Sequence, residues 1–233
     1  MSNLGALIAH EIAAPVGRPA FIVDPVCVDE FPPIARVAGL PGIERRSLSH
    51  ALNLKAAARH AACTLGARYE EINLVVADVT QGLDGTGPFS PERAGGLPIG
   101  DVMRMATSGR YTYDELFRLV TRRGGLLAHL GTNDAREVER RIAAGDDHAR
   151  LIYEAMAYQI AKEIGLMATV LHGDVQAVVL TGGLAFSEML VGWIAERVRW
   201  IAPLLLYPGE HEMSAMAQGA LRVLRGEEEA KEY

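Results

Sequence analysis

Residues 178–187 read VVLTGGLAFS, and the fold depends on what this stretch does. The apolar run from Val175 to Leu180 has strand character, and it ends in Thr181, Gly182 and Gly183 before a helical pattern near Ser187. A strand that opens through two glycines into a helix lets backbone approach a bound group closely. It also turns unpaired N–H groups and the positive end of a helix toward that group, which suits phosphate or a nucleotide. In α/β sheets such ligands sit at the carboxyl ends of strands. A tight turn that uses glycine only for positive φ has the same local sequence, so both readings stand on this stretch alone.

The neighbouring segments give the stretch its setting. Asp146 and Asp147 start the longest helix, which runs to about Val170 and carries the apolar stripe Ile152, Met156, Ile160, Ile164 and Met167. That stripe reads as core, and Gly173 ends the helix. After the Gly-Gly turn come a helix from Ser187 to about Trp200, a strand from Pro203 to Tyr207, and a last helix from Glu212 to Leu224. Strand, helix, strand, helix with short links implies a parallel or mixed sheet covered by helices.

Toward the N-terminus, Ile72 to Val79 (INLVVADV) is the most strand-like run, and it enters the glycine-dense QGLDGTGPFSPERAGGLPIGD at 81–101. A loop of that length inside a domain is usually functional, and Phe89, Leu97 and Ile99 imply that it packs down. No Gly-Lys-Ser/Thr follows, so it is not a Walker A loop. Tyr111 to Arg123 reads as a helix, and Thr132 or Asn133 caps another that bears Asp134 and Arg136 in its first turn.

Before that, Asn3 can cap a first helix with Leu4, Leu7, Ile8 and Ile12 on one face, ended by Pro15 and Gly17. Ala20 to Val23 (AFIV) reads as a short strand ending at Asp24-Pro25, a pattern that holds a carboxylate in a cleft or simply makes a turn. Residues 29–46 are irregular. Ser47 caps a helix through Leu65, with His50 in its first turn, where an anion partner would be needed to keep the imidazole charged.

Composition narrows the classes. The chain has 233 residues, 49% of them hydrophobic, which is enough for a substantial core. A net charge of -6 leaves no basic footprint for nucleic acid. Cys27 and Cys63 fit no disulfide or metal motif and read as buried thiols in a reducing compartment. The amphipathic start is not a signal peptide, and no apolar run is long enough to span a bilayer, which points to a soluble, cytoplasmic protein. GxSxG, HExxH and paired-histidine patterns are absent from the sequence, which counts against a serine or metallohydrolase.

Seven stretches in order resemble the butyrate kinase branch of the acetokinase family, within the acetate and sugar kinase, Hsp70 and actin superfamily. They are FIVDPV at 21–26, SHALNLKAAARHAA at 49–62, LDGTGPFSPERAGGLPIGD at 83–101, LGTNDAREVE at 130–139, YEAMAYQIAKEIG at 153–165, LTGGLAFS at 180–187 and YPGEHEMSAMAQGALRVLRGEEE at 207–229. The resemblance implies an α/β, ribonuclease H-like (actin-like ATPase) fold, truncated, with a mixed sheet covered by helices. It implies residues 1–71 as the remnant of an N-terminal lobe with inter-lobe helices, and 72–233 as the nucleotide-binding domain.

The activity implied is transfer of the γ-phosphoryl of ATP, with Mg2+, to a short-chain carboxylate such as butyrate. By the same resemblance Asp24 and His50 are catalytic. Asp134, Ala135 and Arg136 hold the base and ribose, Gly182, Gly183, Leu184 and Ser187 lie on the other side of the adenosine, and Glu212 (or Glu210) helps hold magnesium. The family's arginine before Gly-Asp is Pro98 here, so Arg93 is expected to supply that charge. Relatives also carry a first lobe with a phosphate-contacting turn, and a histidine with a glycine-rich phosphate loop where this sequence passes from Ala77 to Asp78. The alternative expectation is therefore a non-catalytic remnant that serves as a nucleotide-binding or dimerisation module. A homodimer or higher homo-oligomer is expected in either case.

Overall fold

Three apolar runs build the sheet. In the computed structural model, which describes residues 2–24, 31–45, 51–78, 87–210 and 212–230, they are β1 (Leu74–Asp78), β2 (Ala177–Gly182) and β3 (Leu204–Pro208). Their order is β1-β2-β3. Leu74 faces Ala177 and Asp78 faces Thr181, while Val178 faces Leu204 and Gly182 faces Pro208. Where the sequence left the sheet parallel or mixed and the resemblance implied mixed, both ladders among the described residues are parallel. Among the described residues antiparallel pairing is confined to isolated bridges, Val37 with Glu44 and Gly182 with Gly209.

The helices are α1 (Ser2–Ala13), α2 (Pro33–Arg36), α3 (Ala51–Thr64), α4 (Ile99–Thr107), α5 (Tyr113–Arg122), α6 (Gly125–Leu130), α7 (Ala135–Ala143), α8 (Asp147–Val170), α9 (Glu188–Val198) and α10 (Glu212–Leu224). Packing divides the chain into two compact units, Ala57–Glu210 and Met1–Ala56 with His211–Tyr233. These units follow packing, whereas the division expected at residue 72 concerns lobe origin, and the two need not coincide.

In the 57–210 unit every residue of β2 is buried, so the strand needs apolar cover on both faces. Alternation supplies it. Val178 and Leu180 join a core built with Met156, Ile160 and Ile164 of α8 and Leu190 and Ile194 of α9. Val179 points the other way, to Ala57 and Ala61 of α3, with Val76, Leu205 and Tyr207 around them. The α8 stripe packs as expected except at its end, where Met167 is exposed.

The glycine-dense loop does pack down, through backbone more than side chains. Gly124 N–H donates to the Glu92 carbonyl at 2.8 Å, Leu127 N–H to Pro91 at 2.9 Å, and Ala94 N–H to Val120 at 2.9 Å. Phe89 is buried as expected, whereas Leu97 and Ile99 are exposed, which corrects that part of the reading. The loop also ends sooner than 101, because Ile99 opens α4. Cys63 is exposed on α3 rather than buried, and Cys27 lies outside the described residues.

In the other unit α1 gives way at Pro15 to a 3-10 turn, Ala14–Val16, closed by Gly17 at φ 63°. Ala20–Val23, expected as a strand, joins no ladder among the described residues. An apolar residue can pack against a helix without a strand partner, and half-buried Val23 does so. It lies against Gly219 of α10 so closely that a Cβ there would collide with its Cγ1. Asn3, expected to cap α1, lies inside it instead, because the helix already includes Ser2. Ser47, expected to cap the helix that became α3, lies outside the described residues. No helix among those described is long and apolar enough to cross a membrane.

Candidate functional site

The carboxyl end of β2 has the turn chemistry that the sequence suggested. Gly182 sits at φ 88°, a conformation that favours glycine. Free N–H groups were expected at this turn, but the one on Gly182 donates to the Gly209 carbonyl at 3.2 Å, and Gly209 N–H returns a bond of 3.0 Å to Gly182. Thr181 Oγ1 donates to the Tyr207 carbonyl at 2.9 Å. The glycine therefore ties the ends of β2 and β3 together. Gly183–Phe186 forms one 3-10 turn with Leu184 and Ala185 buried and Gly183 exposed. Ser187 then caps α9, accepting from Leu190 N–H at 2.9 Å.

A second turn lies at the start of α7. Its N-cap is Asp134, one or two residues later than expected, because the Asp134 carboxylate accepts from Arg136 N–H at 2.9 Å. Thr132 Oγ1 is engaged elsewhere, donating to Glu137 at 2.8 Å. The Arg136 guanidinium closes a two-pronged pair on the same carboxylate at 2.9 Å. These bonds from the Arg136 side chain, then from its backbone, hold the Asp134 carboxyl below its usual range, and the pair raises Arg136 in return.

The two turns are joined by a polar triangle that sequence reasoning missed. Ser187 Oγ donates to Glu139 of α7, and the hydroxyl of the fully buried Tyr153 of α8 lies 3.1 Å from both. Burial first of all pushes the Tyr153 hydroxyl well above its usual range, so it stays a protonated donor. Glu139 and Tyr153 both lay inside recognised stretches. Three residues on three helices leave no spacing signal to connect them.

Arg93 sits in the loop behind, its N–H donating to Ser90 Oγ at 3.2 Å. Burial lowers its guanidinium from the ordinary value, Glu92 opposes this, and Arg122 adds to it. Beside the carboxyl end of β1 a pocket of about 230 Å³ is lined by Asp78, Phe89, Ser90, Met156, Glu163 and Leu184 among others.

The remaining candidates belong to the other unit. Asp24 lies at φ 44°, an uncommon conformation that Asp tolerates better than most residues. Lys55 of α3, which sequence reasoning also missed, donates to its carboxylate at 2.8 Å, and both side chains are partly buried. Glu212 is exposed in the first turn of α10, and Glu210 is exposed before it. His50 lies outside the described residues. Among those described, no group of three or more His, Cys, Asp or Glu could hold a metal ion. The described side chains alone thus do not fit a protein-built magnesium cage.

Comparison with known proteins now bears on the two turns and the loop that packs beside them. Residues 86–193 match the acetokinase family. This acetokinase-like segment includes the 87–97 loop, the α7 cap, α8 and the Gly182–Ser187 turn. Among solved structures, Porphyromonas gingivalis acetate kinase is similar at a TM-score of 0.73 and 17% identity, covering 82% of this chain and 61% of its own. A propionate kinase from Francisella tularensis is similar at 0.69 and 18%, with 80% and 60% covered. Entamoeba histolytica acetate kinase is similar at 0.70 and 12%, with 82% and 63% covered. The fold is that of these acetate and propionate kinase structures, and the chain spans about three fifths of their length.

Proposed function

We propose that the chain is a carboxylate kinase of the acetokinase type, with butyrate as its acceptor. The observation that carries this reading is the acetokinase match over 86–193, which takes in both turns and the polar triangle between them. In the reaction a carboxylate oxygen bonds to the γ-phosphorus of ATP, the bond from that phosphorus to the β–γ bridging oxygen breaks, and ADP leaves. A carboxylate is already a nucleophile, so no strong base is needed. The work is alignment of two anions and neutralisation of charge on the transferring group.

In this reading the Asp134–Arg136 turn and the Gly182–Ser187 turn flank the nucleoside. Asp24, His50 and Arg93 serve the transferring phosphoryl and the acceptor. Lys55 fixes the Asp24 carboxylate. Magnesium, when bound with ATP, neutralises phosphate charge, and Glu212 is the residue proposed to face it.

A second reading has its own support. The turns described flank the nucleoside, and Gly182 N–H is spent on Gly209 and not free for a bound group, so a chain that holds the nucleoside without transferring phosphoryl is a distinct outcome. Purified protein with MgATP and butyrate, the acyl phosphate trapped with hydroxylamine, separates the two. Turnover is expected, with at least about a hundredfold loss in Asp24→Asn and His50→Ala, the scale of a lost general catalytic group. Acetate and propionate as alternative acceptors test the assignment to butyrate. A folded chain that forms no hydroxamate leaves the binding-module reading in place of the kinase.

A further inference from the structure

Phe186 is 69% exposed, so its ring is open to contact by a bound group. It closes the 3-10 turn that follows β2, at the carboxyl edge of the sheet, where α/β proteins bind ligands. Its Cε2 and Cζ stand 3.5 Å from where a Cβ on Gly209 would be, so the ring lies against the end of β3 as well. Gly209 is itself at φ 99°.

The next residue, Ser187, touches Glu139, and Ala135 precedes Glu139 by four residues on α7. One helical turn, about 6 Å along the axis, therefore separates that contact from the Asp134–Arg136 turn. A flat apolar ring is thus held at the sheet edge, close to a helix start whose donors and charges suit a ribose and polar groups. The turn beneath the ring is held from below by buried Leu184 and Ala185.

We propose that Phe186 is the stacking platform for the base of the bound nucleotide, and that it sets a preference for purines. The proposal rests on the nucleotide reading above and adds a residue and a selectivity to it. Stacking on an aromatic face favours any base, and the larger purine surface gains more. The ring is mostly exposed, so its removal should leave the fold intact, which circular dichroism checks.

Calorimetric titration of the full chain with MgADP and with MgCDP tests the platform. The wild type is expected to prefer ADP. Phe186→Ala is expected to bind ADP about tenfold more weakly and to lose most of the preference, whereas Phe186→Trp keeps both. Equal ADP affinity in wild type and Phe186→Ala overturns the platform and leaves the nucleotide reading standing. So does a Phe186→Trp variant as weak as the alanine one, since a stacking role tolerates any large aromatic. A wild type that binds neither nucleotide sinks the nucleotide reading itself, and the platform with it.

Discussion

A Cβ on Gly125 would fall onto the carbonyl oxygen of Ser90, and the backbone there is at φ 58°, which already disfavours any other residue. Gly95, at φ 65°, is similarly placed, 2.6 Å from Phe89 N. The glycine density of this region invited a reading as a ligand loop. At these positions it also serves close approach of backbone to backbone, and a sequence cannot separate those uses, since both ask for the absence of a side chain. Gly125→Ala is therefore expected to cost at least about 2 kcal/mol, the left-handed penalty plus overpacking, as a fall in urea midpoint. Gly100→Ala is the contrast. That glycine lies inside α4 with nothing within 4 Å of its Cβ position, and the change should stabilise by about 0.5–1 kcal/mol. Equal effects at the two positions would contradict this account. Asp24 is legible in the same partial way. Its place before Pro25 was readable, but its positive φ and its pairing with Lys55, 31 residues on, depend on packing.

The elements that were readable are those whose period is unambiguous. β2 is a continuous apolar run buried on both faces, α8 carries an i, i+4 stripe, and α10 was bounded as observed. α4 was missed because Pro98 and Gly100 weigh against a helix locally, and its exposed Ile99 and Met103 give no clear buried face. AFIV misled in the opposite sense, since four apolar residues do not say whether a strand or a helix will cover them. The caps of α7 and α8 were found to within two residues, and the one at Asp146 carries a pH signature. Its carboxylate accepts from Ala149 N–H at 2.9 Å and from the Arg141 guanidinium at 2.8 and 2.7 Å. The Ala149 bond first, then Arg141, hold it below the usual carboxylate range. A lowered folded-state pKa stabilises above the unfolded value of about 3.9, and the contribution is lost as pH falls through the folded value. Asp146→Ala should therefore melt a few degrees below wild type at pH 7. The gap should hold down to about pH 4 and narrow only below it. A gap that closes between pH 7 and 5 would assign the effect to another group.

For the whole molecule, the exposed apolar surface is what the fold leaves unexplained. Leu7, Ile8 and Ile12 of α1 are 62%, 52% and 70% exposed, and Val16 in the turn after it is exposed too. Ile8, Ile12 and Val16 recur every four residues, so they form one stripe along the helix and its extension. A stripe of this kind is the surface that a two-fold pair of chains covers by laying the same helix against itself, residue i of one copy against residue j of the other. The expected outcome is a dimer by multi-angle light scattering at micromolar concentration. Ile8→Lys with Ile12→Glu should shift the chain to monomer without altering its circular dichroism, because neither side chain is part of a core. If hydroxamate formation falls with the dimer, groups from both copies serve one site. A monodisperse wild-type monomer would remove self-association as the cover for this stripe. Turnover by that monomer would show that one chain holds every group the reaction needs.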